Sequence, residues 1–569
     1  MKNVKNLFGM AVMATALVGC SSNDNLNPNP NDNAGKAGEA YASFKINLPT
    51  TNGTRAAGDP TFEKGDKNEY AVNDATLLLF QKNATTGAFE YKEAVELGNM
   101  EPWTSSDATG ITTTAKLTAK LNNAKVGAND YYALIVLNNH TETAAKIKFP
   151  ATNQSFAEWS KIAANATANY SEYDNGFFMA NAPKYVANET PTTLVAIKNI
   201  CASKQQAENS EATTVYVERG LAKVSLASTS SEHVGITGGN YDGDHVDITG
   251  WTLDVTNTKT YPVHVTDDLW ADTWKATTTT AATNGASLDR FHDTKPDSEF
   301  PRVYWGLDPN YSTDYTSVGA CEVEFKMAGT GDFKTGAEAK KPQYCLENTF
   351  DIDHMVQGQT TRVLFSAKYK PNGFTAGETF YKMGNSSQLW KEADVIAQIK
   401  AKAMEVLGEA DADKVKVILT GTDLAKAGIH LITTANVKHG TDEIEQHEAD
   451  EINAKLGFKA ASGTDPMVGL STYVDGVSYY IARVKHFGDY LTKWEAGNDT
   501  YGSNNINWLG RYGVLRNNWY ELSVSSVSGP GYPDVPKVNP TDPDDVNDQY
   551  INVEVKILSW AKRSQSVDL

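Results

Sequence analysis

Two short motifs near the N-terminus could each undergo a covalent reaction. Residues 17–20, with the sequence LVGC, close an apolar run and match a lipobox. A lipid thioether forms only on a cysteine thiol, so Cys20 is predicted to become the lipidated first residue after signal cleavage. Residues 54–60, TRAAGDP, are small and turn-prone around a single arginine. Hydrolysis between Arg55 and Ala56 would detach everything that precedes the bond.

Histidines and carboxylates elsewhere form no recognisable catalytic or metal-binding motif. His439 and His447 lie among glutamates without the H-E-x-x-H spacing, and a solvated acidic helix is the better interpretation. The acidic stretches 242–247 and 542–548 lack the EF-hand spacing for calcium. No G-x-S-x-G, P-loop or G-x-G-x-x-G motif occurs in a fitting context. We therefore predict no catalytic residue, no metal, no cofactor and no enzymatic activity.

The other three cysteines allow at most one disulfide once Cys20 is lipidated. Cys201, Cys321 and Cys345 are predicted to be small buried hydrophobic residues. A bridge between Cys321 and Cys345, the pair closest in sequence, stays open as an alternative. Metal ligation is disfavoured because no C-x-x-C spacing exists.

Charge and hydropathy indicate an exported chain. Residues 2–18 carry two lysines and then an apolar run that is too short to span a bilayer, as in a signal peptide. An uncleaved N-terminal anchor is the alternative. The net charge of −19 over 569 residues argues against nucleic acid and against docking on anionic lipid. Contact with a membrane is expected only through the transient lipid anchor.

Alternating apolar and polar residues predict that most of the strongly patterned segments form β-strands. The earliest such segment has one apolar face, made of Ala42, Phe44, Ile46 and Leu48. It follows an Asn- and Pro-rich tether at 21–38 and precedes Arg55. A second segment, near the end of the chain, repeats the pattern with Ile551, Val553, Val555 and Ile557, followed by Trp560.

Helices are the minority in this prediction. A capping box at Ser155 and Glu158 opens a short helix, and Ser387 is a candidate cap for an apolar stripe over 388–407. A third helix is expected over 442–456, so a helical insertion is predicted at about 386–457. We divide the chain into a signal peptide (1–20), a tether with removable strand (21–55), an N-terminal domain (56–230), a C-terminal domain (231–549) and a terminal donor segment (550–569). The stretch 528–548 is expected to be a loose linker.

The two similar strands suggest an exchange between subunits. A groove that accepts an apolar residue at every second position would accept either strand. Cutting after Arg55 would free that groove, and a neighbour's terminal strand could fill it. The alternative is that both strands pair only within their own domains.

Several stretches resemble the fimbrillins of Bacteroidetes, in particular the minor-fimbrillin type of shaft subunit in type V pili. The matches span most of the chain and begin with the lipobox. The others are NGTRAAGD at 52–59, VERGLAKV at 217–224, TGWTLDVTN at 249–257, YCLENT at 344–349, SYYIARVKHF at 478–487, YGVLRNNWY at 512–520 and the closing strand with Trp560. The predicted helical stretches carry none of them.

The resemblance implies two transthyretin-like β-sandwich domains, export as a lipoprotein, and cleavage after Arg55 by an arginine-specific surface protease. It implies polymerisation by donor-strand exchange into adhesive outer-membrane fimbriae of the kind that support biofilms. The partners would be copies of the same chain, together with anchor and tip subunits. Arg219 is a competing arginine, but apolar strands on either side should shield it. The surface ligands are not indicated.

Two other classes of protein fit parts of the pattern. A surface lipoprotein that binds glycans would keep its N-terminal strand and never polymerise, and a tip or accessory adhesin would share the fold. A secreted hydrolase would need a site that no motif indicates. The large aromatic residues of these motifs are expected to be core residues rather than a binding platform. They are Trp251, Trp519, Tyr520 and Trp560.

Overall fold

The computed structural model describes most of the chain. The described residues are 39–47, 69, 71–97, 114–140, 145–165, 176–186, 191–227, 233–266, 300–463, 465–486, 510–544 and 551–559. Within them strands outnumber helices, which confirms the prediction of a mainly β protein. No helix among these residues has the length and apolar character needed to cross a bilayer.

The first part of the chain builds one large sheet. Its elements are β1 (Ala40–Asn47), β2 (Ala75–Lys82), β3 (Phe89–Glu96), β4 (Thr114–Leu121), β5 (Tyr131–Leu137), α1 (Phe156–Trp159), β6 (Ala164–Asn165), β7 (Met179–Asn181), β8 (Val195–Ala196), α2 (Lys204–Asn209) and β9 (Thr213–Arg219). The strand order of the sheet is β3-β2-β5-β7-β9-β1-β4, with β8 beside β5, whereas β6 pairs outside this sheet. Side chains from β1 and β2, such as Phe44 and Leu79, enter the same core, so the sheet closes over itself as a sandwich. The capping box at Ser155 and Glu158 is confirmed.

A second sandwich follows. Its elements are β10 (Leu221–Leu226), β11 (His233–Gly235), β12 (His245–Asp254), β13 (Thr256–Asn257), β14 (Lys259–Thr260), α3 (Val318–Glu324), β15 (Phe325–Lys326), β16 (Lys334–Thr335), β17 (Gln343–Leu346) and β18 (Arg362–Lys370).

The chain then forms an inserted lobe and returns to the second sandwich. The lobe contains β19 (Phe380–Met383), β20 (Leu389–Trp390), α4 (Glu392–Leu407), β21 (Val415–Val417), β22 (Gly428–His430), β23 (Val437–His439), β24 (Asp442–Glu443), α5 (Gln446–Leu456) and β25 (Leu470–Tyr473). The chain continues with β26 (Val477–Arg483), β27 (Asn518–Val527) and β28 (Ile551–Ser559).

Two sheets of the second sandwich share a core. One has the order β17-β10-β27-β28, and the other β11-β12-β18-β26, with β16 paired to β12. Trp251 and Tyr520 are fully buried between them. Because β9 lies in the first sheet and β10 in the second, the chain crosses between the sandwiches at Gly220, ahead of the boundary expected near residue 230.

The inserted lobe has its own apolar core, formed around Val395, Ile399 and Ile452. Its first long helix begins at Glu392, with Lys391 as the N-cap, so the prediction of Ser387 as the cap is wrong. Leu389 and Trp390 instead form β20 and pair with β19. Gly408 and Gly457 end the two helices of the lobe in left-handed conformations, with φ of 62° and 74°.

Candidate functional site

The candidate site is the position of β1, here called the strand slot: the space that β1 occupies between β4 and β9. β1 pairs antiparallel with β4 along its whole length, from Ala40 opposite Leu121 to Asn47 opposite Thr114. Its C-terminal half pairs in parallel with β9. A strand with neighbours on both sides contributes two rows of backbone hydrogen bonds, so its loss would expose two sheet edges.

The apolar face of β1 lies in the core of the first sandwich. Ala42, Phe44 and Ile46 have no exposed surface, and Phe44 is among the largest fully buried side chains. On the opposite face, Lys45 is exposed. Burial of Phe44 and of Ile46 contributes roughly 1.5–3 kcal/mol each. The predicted apolar face is therefore the inward face. The polar face is only partly exposed, because Ser43 and Asn47 are buried beside the exposed Lys45.

Additional contacts hold the N-terminal half of β1. The Tyr41 backbone N–H donates to the Cys201 carbonyl at 2.9 Å, and the Cys201 N–H donates back to Tyr41 at 2.8 Å. The hydroxyls of Ser43 and Thr118 lie 2.7 Å apart. The slot is thus formed by three segments, β4, β9 and the turn at Cys201, all of which follow residue 56 in sequence.

The other candidate strand, β28, lies at the edge of the second sandwich. It pairs antiparallel with β27, from Ile551 opposite Val527 to Ser559 opposite Asn518, with a bulge between Val524 and Ser526. Within the described residues, its other backbone edge has no strand partner. The side chains of 551–559 lie outside what the structure describes. In this monomer the terminal segment is therefore docked on its own domain.

The segment 528–544 is fastened to the domain, so the prediction of a loose linker is wrong for these residues. The Tyr473 hydroxyl donates to the Gly531 carbonyl at 2.9 Å, and the Tyr480 hydroxyl donates to the Gly529 carbonyl at 2.9 Å. Asp544 is fully buried and accepts from the Thr360 hydroxyl at 2.8 Å. The prolines and glycines of the segment 528–544 prevent regular secondary structure. Buried side chains instead donate hydrogen bonds to backbone carbonyls of the segment.

A buried layer of charge lies where the sandwiches meet, here called the junction ion network. Its first part centres on His264, whose Nδ1 lies 2.9 Å from Glu218 Oε1. Arg302 also bonds Glu218, and Arg516 Nε donates to Glu347 Oε2 at 3.0 Å. Burial raises the pKa of Glu218, but attraction to His264, Arg302 and Arg516 outweighs it, so the pKa lies below its ordinary value.

The second part of the network involves Glu69. Its carboxylate is 2.6 Å from Lys223 Nζ and accepts from the Tyr344 hydroxyl at 2.6 Å, and its carbonyl accepts from Arg219 Nε at 2.7 Å. Burial raises the pKa of Glu69, but the interactions with Lys223 and Tyr344 outweigh this effect. The pKa of Glu69 therefore lies below its ordinary value. The expectation that Arg219 is shielded is confirmed, since it is 3 % exposed.

Sequence reasoning missed the junction ion network. The available signal is the segment VERGLAKV, where Glu218, Arg219 and Lys223 interrupt an otherwise apolar pair of strands. Charges at inward positions of a buried strand need partners. Glu69 lies far from that segment in sequence and offered no comparable signal.

Other predicted residues have structural roles. Cys201, Cys321 and Cys345 are buried and unbridged, as predicted, and burial raises the pKa of Cys345 to about 12. Trp519 is only half-buried, and Lys223 Nζ lies 3.7 Å from its ring centroid. Asp244, from the acidic stretch 242–247, accepts from the Tyr369 hydroxyl.

No group of three or more His, Cys, Asp or Glu side chains in the described residues is arranged to hold a metal ion. Five of the predicted site residues lie outside the described residues, and the structure gives no account of them. They are Cys20, Leu48, Arg55, Ala56 and Trp560.

Comparison with protein families gives one match. Residues 471–566 match the C-terminal model of fimbrillin, the major fimbrial subunit protein type IV. The resemblance to fimbrillins is thereby confirmed for this region, which contains β26, β27 and β28. No curated protein sequence matches the chain.

Several solved structures are similar over nearly the whole length. A fimbrilin (fimA) from Porphyromonas gingivalis W83 has 13 % identity and a TM-score of 0.34, with 92 % of this chain and 99 % of that chain covered. A candidate cell adhesion protein from Parabacteroides distasonis has 11 % identity, a TM-score of 0.38 and the same coverage. The tip fimbrial protein Mfa3 from P. gingivalis has 11 % identity and a TM-score of 0.29, covering 91 % and 100 %.

Proposed function

From its fimbrillin C-terminal region, we propose that this chain is a structural, non-enzymatic shaft subunit of a surface fimbrium. The precursor is exported as a lipoprotein anchored through Cys20 and is cut between Arg55 and Ala56. The single observation that carries this proposal is the place of β1 in the first sandwich. β1 is paired on both sides and buried on its inner face, yet it precedes the cut in sequence.

Loss of β1 creates the driving force for assembly. Cleavage leaves β4 and β9 with unpaired backbone groups and leaves the space of Phe44 and Ile46 empty. A strand that restores both the backbone bonds and the apolar contacts is stabilised by binding there. Four buried Val or Ile side chains, at roughly 1.5–3 kcal/mol each, are comparable with a nanomolar binding energy of about 12 kcal/mol before ordering terms.

The donor in this proposal is the terminal segment from Ile551 to Trp560 of a neighbouring copy. Its sequence repeats the alternation of β1, with Val553 and Val555 at positions comparable to Phe44 and Ile46. Among the residues that the structure describes, one partner strand holds β28 at a sheet edge, whereas the slot offers two. Transfer from a one-sided to a two-sided position favours the polymer.

The partners in this proposal are other copies of the chain, anchor and tip subunits, and an arginine-specific surface protease. The chain resides at the outer membrane before cleavage and in the surface fimbrium afterwards. A tip subunit or a glycan-binding lipoprotein differs in one respect, because neither must donate its terminal strand to a neighbour.

Limited digestion of the precursor with an arginine-specific protease tests the proposal. The expected result is a single cut that yields Ala56 as the new N-terminus, followed by ladders of SDS-resistant multimers. Deletion of residues 550–569 should abolish the ladders without changing the cut. A chain that is cut and stays monomeric contradicts the proposal and supports a surface lipoprotein that does not polymerise.

A further inference from the structure

A cationic cavity lies at the edge of the second sandwich opposite β28. Its volume is about 570 Å³, and it is lined by Lys334, Glu338, Lys340, Lys341, Pro342, Gln343 and Tyr344. We call it the lysine cavity. Pockets of 300–1,000 Å³ are typical for small ligands. Because β17 and β28 lie at opposite edges of the same sheet, an exchange of β28 leaves this cavity unchanged.

The charge of the lysine cavity is opposite to that of the whole molecule. Three lysines and one glutamate line it, in a chain with a net charge of −19. Glu338 is 2.7 Å from Lys341 and neutralises it. Lys334 and Lys340 are exposed, and neither ammonium group forms an ion pair with a residue that the structure describes. Lys334 also interacts electrostatically with Asp332, but the ion-pair partner of that carboxylate is Lys326, at 3.3 Å. The charges of Lys334 and Lys340 therefore remain for a ligand.

Hydrogen bonds to β12 hold the backbone segments that line the cavity. The Trp251 indole donates to the Ala339 carbonyl at 2.7 Å, and the Gln343 amide donates to the Trp251 carbonyl at 3.1 Å. β16, which carries Lys334, pairs with β12. A Cβ on Gly250 would approach the Lys334 carbonyl to 2.7 Å, so the two strands need a glycine there. The lysines thus project from a frame with little freedom to rearrange.

One wall of the cavity is aromatic. Tyr344 is half-buried, its ring packs edge-on against Phe177 at 4.8 Å, and its hydroxyl donates to Glu69. Pro342 lies beside it. The part of Tyr344 that these contacts leave exposed, together with the nearby ammonium groups, suits a ring-shaped polar molecule that carries a negative charge.

We propose that the lysine cavity binds a saccharide unit bearing a carboxylate. The carboxylate pairs with Lys334 and Lys340, and the sugar ring packs on Tyr344 and Pro342. Long polyanions are disfavoured, because the surrounding surface of this acidic chain repels them. The proposal gives the chain a ligand-binding activity that does not depend on strand exchange.

Titration calorimetry of the uncut precursor tests the proposal with four probes: sialyllactose, digalacturonate, lactose and sulfated lactose. Sialyllactose or digalacturonate should bind, and which one binds identifies the source of the carboxylate. Lactose should bind at least about tenfold more weakly, and added salt should weaken the acidic probe. Equal binding of lactose, binding of the sulfated probe alone, or no binding of any probe overturns the proposal.

Variants locate the site. Lys334→Gln with Lys340→Gln should weaken the acidic probe by about tenfold or more, while Lys334→Arg with Lys340→Arg should retain it. The matched control is Lys416→Gln with Lys459→Gln, which changes the same charge at exposed lysines of the inserted lobe. Thermal unfolding should be alike for all three variants. Equal weakening by the control pair places the charge effect outside the cavity and overturns the assignment.

Discussion

Glu69 and Lys223 form a buried ion pair with 2.6 Å between carboxylate and ammonium, and their side chains are 0 % and 3 % exposed. Glu69 follows the proposed cut at Arg55, whereas β1 precedes it. Lys223 lies on β10 of the second sandwich. The pair therefore fastens the segment after the proposed cut to the second sandwich, and the proposed release of β1 would leave this contact in place.

Removal of the Glu69 carboxylate should destabilise the whole protein. Glu69→Ala removes the carboxylate that lies 2.6 Å from the buried Lys223 ammonium, and removing one member of a buried ion pair costs about 3–5 kcal/mol. Glu69→Gln should lower the free energy of unfolding by less, because the amide can still form hydrogen bonds. Urea unfolding measures the difference.

The matched control for Glu69 is Glu39→Gln, in an exposed pair with Lys120. This change should leave the free energy of unfolding almost unchanged, because solvent screens exposed pairs. A Glu69→Ala variant that unfolds at the same urea concentration as the control would show that Lys223 finds another partner.

Acid should weaken the junction ion network. The pKa values of Glu69 and Glu218 lie below their ordinary value of 4.5, because attraction to their cationic partners outweighs the effect of burial. Their contribution to stability is therefore full above pH 4.5 and is lost as the pH falls through the lower folded-state values. Urea unfolding between pH 7 and pH 3 should show this decline. The decline should be shallower in Glu69→Gln; identical pH profiles would exclude Glu69 as a source.

Phe44 should matter only before cleavage. Phe44→Ala creates a cavity in the first sandwich and should lower the stability of the precursor by about 3–5 kcal/mol. Lys45→Ala, at the neighbouring exposed position, should have little effect. After cleavage both variants become the same protein, so their filaments should melt alike. A difference between the two sets of filaments would mean that β1 stays in place.

The inserted lobe should be dispensable for assembly. It leaves the second sandwich through β19 and returns through β25, where the Phe380 and Tyr473 rings stack at 4.4 Å within the main core. The Gly384 N–H donates to the Gly469 carbonyl at 2.9 Å, so the two ends lie side by side.

Replacement of residues 385–468 by a short glycine-containing turn should therefore preserve folding and polymerisation. Electron microscopy of the filaments and thermal unfolding of the monomer check this. Tyr473→Ala, which removes a buried ring of the main core, is the destabilising comparison. Loss of filaments with an intact monomer would assign the lobe a role between subunits.

Local patterns in the sequence predicted many individual elements. The alternation at 42–46 became a strand with a buried face, and the capping box at Ser155 was observed as predicted. Such signals are local because they depend on neighbouring residues. The pairing of β1 with β4 and β9 could not be read in this way, since it depends on contacts with distant segments.

The errors have the same origin. Residues 528–544 were expected to be loose from their composition, but the hydroxyls of Tyr473 and Tyr480 hold them from other strands. Serine is a favourable residue type at a helix N-cap, but Trp390 pairs with β19, so the helix begins after Trp390 rather than after Ser387. Glu69 belongs to the junction ion network because of its contacts with Lys223 and Tyr344, which are distant in sequence. In each case tertiary contacts overrode a local preference.

In the proposed assembly, one copy loses β1, and a second copy inserts its β28 into the strand slot that becomes free. A mixing experiment tests donation and acceptance separately. A donor carries Arg55→Ala and keeps its terminal strand, and an acceptor is cut after Arg55 but lacks residues 550–569.

Native mass spectrometry of the mixture is the most direct measurement. Each partner alone should remain monomeric, and the mixture should give a one-to-one complex that resists SDS. Failure of the mixture to form that complex, or multimers from either partner alone, would contradict donor-strand exchange between β28 and the strand slot.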